Sequence, residues 1–289
     1  MQNHPATPDE ITLFDLWQIL VRRKWWVLAT PLIAVIAAVV AVISIKPQWE
    51  ATAAIRVGSV GQVGQVGQGG QTIEPVARTV ERMKLKSFED VVLTDLGYPL
   101  DEKNPEAHLF RGSLTVRALP NTDLIEITVR GYSPEDAKRA AEATVSYLQK
   151  SHDQLAAPTV QRLRQLLAQV EREITQTEAE KEKTLKIAGL KDGAVAEAGF
   201  MENVVLANIV IQRDGELREL EQVKTFYEEQ LGPLRTYPTS LIERISVSEN
   251  PVVPKKSLII LLVGIFGLVL GVMLAFLSNV LQLNRRSGG

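Results

Sequence analysis

The chain has 289 residues, no cysteine and a formal net charge of −2 at neutral pH. The near-balanced charge gives no sign of a nucleic-acid partner, and a chain without cysteine forms no disulfide and offers no thiolate to a metal. Its apolar residues are concentrated near the two ends, which indicates a membrane protein with a polar middle.

The first apolar segment, residues 25–45, follows the basic stretch Arg22-Arg23-Lys24. An α-helix needs about 20 consecutive apolar residues to cross a hydrocarbon layer of roughly 30 Å. The segment starts too late, and is too long, for the apolar core of a cleaved signal peptide. We therefore expect a retained transmembrane helix, preceded by a cytoplasmic N-terminal segment at residues 1–24.

A second uncharged segment, residues 257–281, predicts a second transmembrane helix and leaves a short tail at residues 282–289. Basic residues are commoner on the cytoplasmic side of a membrane protein. The outer ends of the two segments carry more of them than the inner ends: Arg22, Arg23, Lys24, Arg285 and Arg286 against Lys46, Lys255 and Lys256. This bias predicts cytoplasmic termini and places residues 46–256 outside the cytoplasm.

The polar middle begins with an expected strand, residues 49–57, followed by a glycine-rich stretch at residues 58–71. The glycine spacing does not match a nucleotide-binding loop. Composition alone indicates a mobile loop. A loop that touches a partner, or that lines the lumen of an assembly, is the functional alternative.

Helices in two pieces are expected over residues 74–96, with Ser87 as the cap of the second piece and Gly97 at its end. Alternating residues at 114–119 and 124–130 then predict an antiparallel hairpin. Its second strand places Ile125, Ile127 and Val129 on one face.

The stretch Ser133-Pro134-Glu135-Asp136 has the features of a helix start: a capping hydroxyl, a proline in the first turn, and acids at the positive end of the dipole. We expect this helix to end near Leu155, because Pro158 should break or kink it.

Residues 158–231 predict a long antiparallel helical hairpin, because each half carries a narrow apolar stripe typical of a coiled coil. The stripes contain Leu163, Leu166, Leu167, Val170 and Ile174 in the first half, and Phe200, Val204, Ile211, Leu217, Leu220, Val223 and Tyr227 in the second. A last alternating stretch, residues 241–247, predicts a strand beside the first one. Residues 46–157 and 232–256 then form an α/β base.

The segment from Val204 to Ile211 is apolar nearly all round, so one partner helix cannot cover it. Two interpretations remain open: a locally deeper core, or an interface between subunits. The interface candidates are Val204, Val205, Ile209 and Ile211.

No catalytic, cofactor-binding or metal-binding motif is apparent. The three histidines are far apart in sequence, and the nucleophile-elbow, phosphate-loop and HExxH patterns are missing. We therefore predict a protein that is not an enzyme and that needs no cofactor.

The second apolar segment carries small residues at helical spacing: Gly264, Gly267, Gly271 and Ala275. Small residues let helix backbones approach closely in a membrane, and Ala34, Ala38 and Ala41 could supply a matching surface on the first segment. We predict that these positions mediate packing between transmembrane helices.

Several of these motifs resemble the Wzz-type chain-length determinants, the class 1 polysaccharide co-polymerases. The resemblance lies in residues 11–26 (ITLFDLW followed by RRKWW after four residues), in residues 121–136, and in Asn250-Pro-Val-Val-Pro-Lys-Lys256 before the GxxxG segment. The last motif includes Pro251, Pro254 and Lys255, and it lacks the further proline that the family often has.

The resemblance implies an α+β membrane protein: two transmembrane helices flanking a periplasmic α/β base, with a long protruding antiparallel helical hairpin. It implies a ring of several copies in the bacterial inner membrane. Its implied role is to regulate the chain length of an O-antigen or similar glycan, with a Wzy-type polymerase, the growing lipid-linked glycan and membrane lipid as partners.

Two other functions remain open at this stage. The chain could be a transmembrane adaptor for a separate tyrosine kinase in capsule or exopolysaccharide export, although such an adaptor would need a cytoplasmic docking segment. It could also be a membrane-anchored sensor or binding domain.

Overall fold

The structure is a computed structural model that describes residue 21 and residues 24–63, 70–101, 103–187 and 200–287. The chain divides into two units. One contains residues 1–49 and 248–289, and the other contains residues 50–247.

The first unit is built on two apolar helices, α1 (Lys24–Ser44) and α7 (Lys256–Ser287). Both are long and apolar enough to cross a membrane, α7 over Lys256–Ser278, and only 11% and 17% of their most apolar stretches are buried. A soluble core helix of such composition would be buried. The structure therefore has two candidate transmembrane helices where the sequence predicts them.

A short backbone ladder joins the inner ends of these helices within the same unit. Gln48 N–H donates to the Val253 carbonyl at 2.9 Å, and Val252 N–H donates to the Gln48 carbonyl at 2.8 Å. The segment that leaves α1 is thus paired with the segment that leads into α7.

The second unit contains a five-stranded sheet in the order β4-β5-β1-β6, with β7 also paired to β1. The strands are β1 (Trp49–Arg56), β4 (Thr115–Ala118), β5 (Leu124–Gly131), β6 (Ser240–Leu241) and β7 (Ser246–Val247). The predicted hairpin is confirmed, since β4 and β5 are antiparallel with Val116 opposite Ile127. The predicted last strand lies beside β1 as expected but consists of two short pieces.

One face of β5 forms the core of the sheet. Ile125, Ile127 and Val129 are completely buried, as the alternation predicts. Burying each such side chain contributes about 1.5–3 kcal/mol relative to leaving it in water. Ala51, Ala53 and Ile55 of β1 are buried with them.

Short helices surround the sheet: α2 (Val76–Met83), α3 (Lys86–Asp95) and α4 (Pro105–Ser113). The two helical pieces predicted over residues 74–96 are confirmed, and Gly97 follows α3 with a φ of 74° that suits glycine. Ser87 is not the cap of α3, because the helix already begins at Lys86. Helix α4 was not predicted from the sequence. Asn104 caps it by accepting a 2.8 Å bond from Ala107 N–H.

The long helix α5 (Pro134–Ile187) starts where the sequence predicts. Ser133 Oγ accepts a bond from Asp136 N–H at 3.0 Å. The helix continues through Pro158, so the predicted helix end near Leu155 is wrong. A proline removes one backbone hydrogen bond, and α5 continues because it packs on β5 before that point and on the next helix beyond it.

Helix α6 (Phe200–Leu231) pairs with α5 along a seam whose spacing alternates between three and four residues. The less exposed positions on α5 include Ala156, Val160, Leu163, Leu167, Val170, Ile174 and Thr177. On α6 they include Leu206, Val210, Arg213, Leu217, Leu220, Lys224, Tyr227 and Leu231. This 3.5-residue period is typical of a coiled coil.

The seam corrects three of the predicted stripe positions. Val204, Ile211 and Val223 lie outside it and are exposed, because a single partner helix covers only one narrow face of α6. Ion pairs cross between the helices near the seam: Lys181 to Asp214 at 2.5 Å, and Arg213 to Glu180 at 3.0 Å.

A small two-stranded ribbon completes the second unit. It consists of β2 (Ser59–Val60) and β3 (Gln71–Thr72), paired antiparallel. The ribbon brackets the centre of the glycine-rich stretch, residues 64–69, which lies outside the described residues.

Candidate functional site

The small residues of α7 pack against α1. Gly267, Gly271 and Ala275 are buried. A Cβ on Gly267 would lie 2.7 Å from the Pro31 Cα and 3.1 Å from the Ala34 Cβ. The backbones thus approach so closely at this point that a side chain on α7 would collide with α1.

Gly271 also lies close against α1. A Cβ there would overlap the Thr30 hydroxyl and lie 3.0 Å from the Trp26 carbonyl oxygen. Gly264 is less constrained, since its nearest neighbour would be a Val35 methyl at 3.7 Å. On α1, Ala38 is buried but Ala41 is exposed, so Ala41 is not part of this surface.

The proline motif lies at the start of α7. Pro254 is buried and follows a cis peptide bond, whereas Pro251 is half-buried and Lys255 is exposed. The Pro254 and Lys255 carbonyls accept bonds from the Lys256 and Ile259 N–H groups at 2.9 and 3.1 Å. The motif therefore forms the first turn of α7, and any further role for it stays a prediction.

The candidate interface residues form an exposed apolar patch on α6, which we call the α6 patch: Val204, Val205, Ile209 and Ile211, with exposed fractions of 42%, 57%, 37% and 68%. They lie off the seam with α5, so the hairpin leaves them uncovered. Of the two interpretations from sequence, the structure of this chain does not provide a deeper core here.

The glycine-rich stretch docks on the turn that follows α6. A Cβ on Gly58 would lie 2.6 Å from the Thr239 nitrogen, and one on Gly61 or Gly70 would overlap a backbone carbonyl of Gln230 or Arg235. Glycine is required at these three positions because the two backbones touch.

Hydrogen bonds fix this docked ribbon. Ser59 and Tyr237 exchange backbone bonds at 2.9 and 3.0 Å. Gly61 N–H donates to Thr236 Oγ1 and Gln62 N–H donates to Gln230 Oε1, both at 2.9 Å. The sequence predicted only a loop here, and its described ends are anchored at both strands.

A charged cluster lies where β1, β5 and the post-α6 segment meet. Arg56 Nε donates to Asp123 Oδ2 at 2.9 Å, and its guanidinium stands 4.1 Å from the Tyr237 ring centre. The hydrogen bond from Arg56 holds the pKa of Asp123 below its usual value.

A buried polar cluster joins four separate segments of the chain, around residues 58, 74–82, 152 and 239. Glu74, Thr79, His152 and Thr239 are all at least nine-tenths buried. Glu74 Oε2 accepts from Thr79 Oγ1 at 3.1 Å and forms an ion pair with Arg82 Nη2 at 3.0 Å. His152 lies between them, with Nδ1 2.6 Å from Thr239 Oγ1 and Nε2 3.5 Å from Glu74 Oε2.

This hydroxyl–imidazole–carboxylate order resembles the proton relay of a hydrolase. However, Thr239 is only 2% exposed, and its hydroxyl already accepts a bond from Gly58 N–H at 2.9 Å. A nucleophile must reach its substrate, so the cluster holds segments together and does not present a reactive group. No spacing rule links these residues, which is why sequence analysis missed them.

Among the residues that the structure describes, no group of three histidine or carboxylate side chains could hold a metal ion.

The two apolar helices, the mixed sheet and the coiled-coil hairpin together define a protein with two candidate spans and a large polar middle. Comparison with known families then gives a match. The profile of the Wzz family, described as chain length determinant protein, matches residues 9–93. This match confirms the resemblance to Wzz-type chain-length determinants over slightly less than a third of the chain. A comparison with curated proteins finds no match.

Solved structures with similar folds include a full-length bacterial polysaccharide co-polymerase, at 15% identity over 94% of this chain and 98% of that chain, with a TM-score of 0.41. The Shigella flexneri lipopolysaccharide O-antigen chain-length regulator WzzBSF matches as a point mutant and as wild type. The mutant has 15% identity over 71% of this chain and 98% of that chain (TM-score 0.23); the wild type has 13% over 68% and 97% (TM-score 0.21).

Proposed function

We propose that this chain is a non-enzymatic regulator of polysaccharide chain length, for O-antigen or a similar bacterial surface glycan. It acts as an oligomeric scaffold in the inner membrane on a Wzy-type polymerase. The observation that carries the proposal is the match of residues 9–93 to the chain length determinant family.

In the proposed arrangement, α1 and α7 span the inner membrane, both termini are cytoplasmic, and the sheet and hairpin lie in the periplasm. The exposed apolar surfaces of α1 and α7 support the spans, because such surfaces are stable in lipid and costly in water. The outer ends of the two spans carry more basic residues than the inner ends, which supports this orientation.

The hairpin is suited to a scaffold because its height is fixed by helix geometry. Its second helix, α6, has 32 residues, which corresponds to about 48 Å at ~1.5 Å per residue. In the proposed function, hairpins from several copies form a ring that either measures the growing lipid-linked glycan or positions the polymerase.

The α6 patch is the proposed contact between neighbouring hairpins in that ring. Its four aliphatic side chains are exposed, and they are followed along α6 by a charged stretch. A contiguous apolar surface of this kind on an otherwise polar helix is typical of a protein–protein contact.

Deletion of the gene, followed by separation of the surface glycans on a gel, tests the function. We expect polymer to be made still, but without a preferred length. Loss of all polymer would indicate an enzyme or an exporter, and an unchanged ladder would contradict the proposal.

The double variant Val205→Ser/Ile211→Ser tests the α6 patch. We expect it to reduce the number of copies per particle, measured by mass photometry of the full chain in nanodiscs. Val223→Ser is the matched control, because Val223 is also an exposed valine on α6 but lies outside the patch. Particles of unchanged mass in the double variant would exclude the patch as the contact.

A further inference from the structure

The neighbours of His152 indicate where the Thr239 hydroxyl proton and the proton of the neutral His152 ring lie. Gly58 N–H can only donate, and it donates to Thr239 Oγ1 at 2.9 Å. The hydroxyl proton of Thr239 is then free to bond His152 Nδ1, 2.6 Å away. The Glu74 carboxylate oxygen Oε2 lies 3.5 Å from His152 Nε2, so the neutral ring carries its proton on Nε2 and accepts the Thr239 hydroxyl proton at Nδ1.

The cluster is electrically balanced only while His152 is neutral. Glu74 and Arg82 already neutralise each other at 3.0 Å, and a second nitrogen of Arg82 donates to Ser151 Oγ. A proton on His152 Nδ1 would remove the acceptor of the Thr239 hydroxyl proton, and it would leave one uncompensated positive charge. Breaking the balance of a buried charge group costs several kcal/mol in typical cases.

The charged groups around His152 agree with this balance. Burial, and next the Arg82 guanidinium on α2, lower the pKa of His152 below its ordinary value of 6.5, whereas Glu74 and then Asp153 oppose them. Asp153 is exposed on α5, so water screens its charge. The ribbon and the Thr239 segment contribute only amide and hydroxyl groups to the contact.

Thr239 is the point where α5 holds two other segments. Its hydroxyl binds Gly58 at the start of the ribbon, and its carbonyl accepts a bond from Gln149 Nε2 of α5 at 3.1 Å. Thr239 also immediately precedes β6. A change at His152 is therefore transmitted directly to the ribbon and to the strand that closes the sheet.

We propose that His152 is an acid-sensitive latch: protonation of its ring releases Thr239 and the start of the glycine-rich ribbon from α5. The latch is closed at neutral pH and opens locally in acid. This regulation goes beyond the proposed function and does not depend on it.

The linkage between proton binding and opening gives the direction and the slope of the pH dependence of the latch. Because the closed form holds His152 at a lowered pKa, the open form binds the proton more readily. The closed form therefore keeps its full stability above pH 6.5. The opening equilibrium should rise about tenfold per pH unit as the pH falls from 6.5 to the pKa of the closed form, and should level off below it.

Hydrogen exchange of the full chain in nanodiscs, corrected for the pH dependence of intrinsic exchange, measures this opening. We expect the protection of the amides of residues 58–62 to fall about tenfold per pH unit below pH 6.5. The amides of β5 should keep theirs. Protection of residues 58–62 that does not change between pH 7.5 and 5.0 would overturn the proposal.

Two histidine variants isolate the titrating group. In His152→Asn, the amide oxygen can accept the Thr239 hydroxyl but does not titrate, so we expect exchange at residues 58–62 to become independent of pH. His108→Asn is the matched control, because His108 is exposed, and it should behave as the wild type. A pH dependence that survives in His152→Asn, or is lost in His108→Asn, would contradict the latch.

A second measurement covers the case in which His152→Asn does not fold. Among the histidine ring resonances of the wild-type chain, that of His152 should titrate with a midpoint below the ordinary value of 6.5. The midpoint for His152 should coincide with the levelling of the exchange curve. A midpoint for His152 at or above 6.5 would overturn the proposal.

Discussion

The two helix pairs of this chain have the same secondary structure but are held together in different ways. The α1–α7 pair meets through Gly267, Gly271 and Ala275, with backbones almost in contact. The α5–α6 pair meets through larger side chains such as Leu163 and Leu217 along a coiled-coil seam. The first pair is apolar on its outside, and the second is mostly charged there.

The difference agrees with the two solvents of the proposed arrangement, water around the α5–α6 pair and lipid around the α1–α7 pair. In water, burying a stripe of leucines stabilises a helix pair, so large side chains at the seam are favourable. In lipid, the tails are as apolar as leucine, and helices associate through close packing of small residues instead. Shortening a seam side chain should therefore destabilise the α5–α6 pair, whereas enlarging a small residue should destabilise the α1–α7 pair.

The largest effect is expected when a seam residue of the hairpin is shortened. Leu163→Ala removes a completely buried side chain, and we expect a loss of about 2–5 kcal/mol in the free energy of unfolding of the hairpin. Chemical denaturation followed by circular dichroism measures it. Leu155→Ala, at a half-exposed position on the same helix, should cost much less. Equal losses would mean that the seam does not hold the hairpin.

The opposite size dependence is expected for the α1–α7 pair. Here, adding a methyl group should lower the stability of the helix pair. A Cβ at Gly271 would collide with α1, so Gly271→Ala should cost about 1–3 kcal/mol. Gly264→Ala, where the nearest atom would be 3.7 Å away, should be nearly neutral. Thermal unfolding in detergent distinguishes the two variants, and identical melting curves would contradict the packing.

The larger substitution Gly271→Leu connects this packing with the proposed function. If α1–α7 packing supports the scaffold, the preferred glycan length on a gel should shift in this variant. An unchanged ladder would separate the packing role of Gly271 from any role in chain length.

The smallest effect is expected from the ion pairs beside the seam. Asp214→Asn breaks the 2.5 Å contact with Lys181, and since both side chains are about a third exposed, we expect a loss of only about 0.2–1 kcal/mol. The loss should shrink in 1 M salt, where charges are screened within about 3 Å. The control Glu219→Gln makes the same charge change at an exposed site of α6. A loss that persists in high salt would argue against an electrostatic origin.

Periodicity predicted those parts of the fold that depend on one segment at a time. The two apolar helices, the β4–β5 hairpin and the start of α5 each have a local pattern, and each lies where the sequence places it. The helix α4 was missed because its nine residues carry too short a pattern, although Asn104-Pro105-Glu106 is a recognisable start.

Features that depend on contacts between distant segments could not be predicted. Pro158 does not end α5 because packing on both sides of it outweighs one lost hydrogen bond. The glycines at 58, 61 and 70 indicated a loop, whereas they are required by the approach of a turn about 170 residues later. The cluster around His152 unites four segments, and no spacing in the sequence connects them.

The pairing of β1 sets the order in which this domain can fold. Its partners β6 and β7 follow it in the chain by roughly 190 residues. At a synthesis rate of ~5–20 residues per second, β1 waits about 10–40 s for them. In the proposed arrangement, β1 stands during that interval with one open edge just after the first span, and late-forming strand pairs of this kind are slow to fold and prone to aggregate. If the middle of the chain is exported as proposed, its earliest strand needs protection until its last strands arrive.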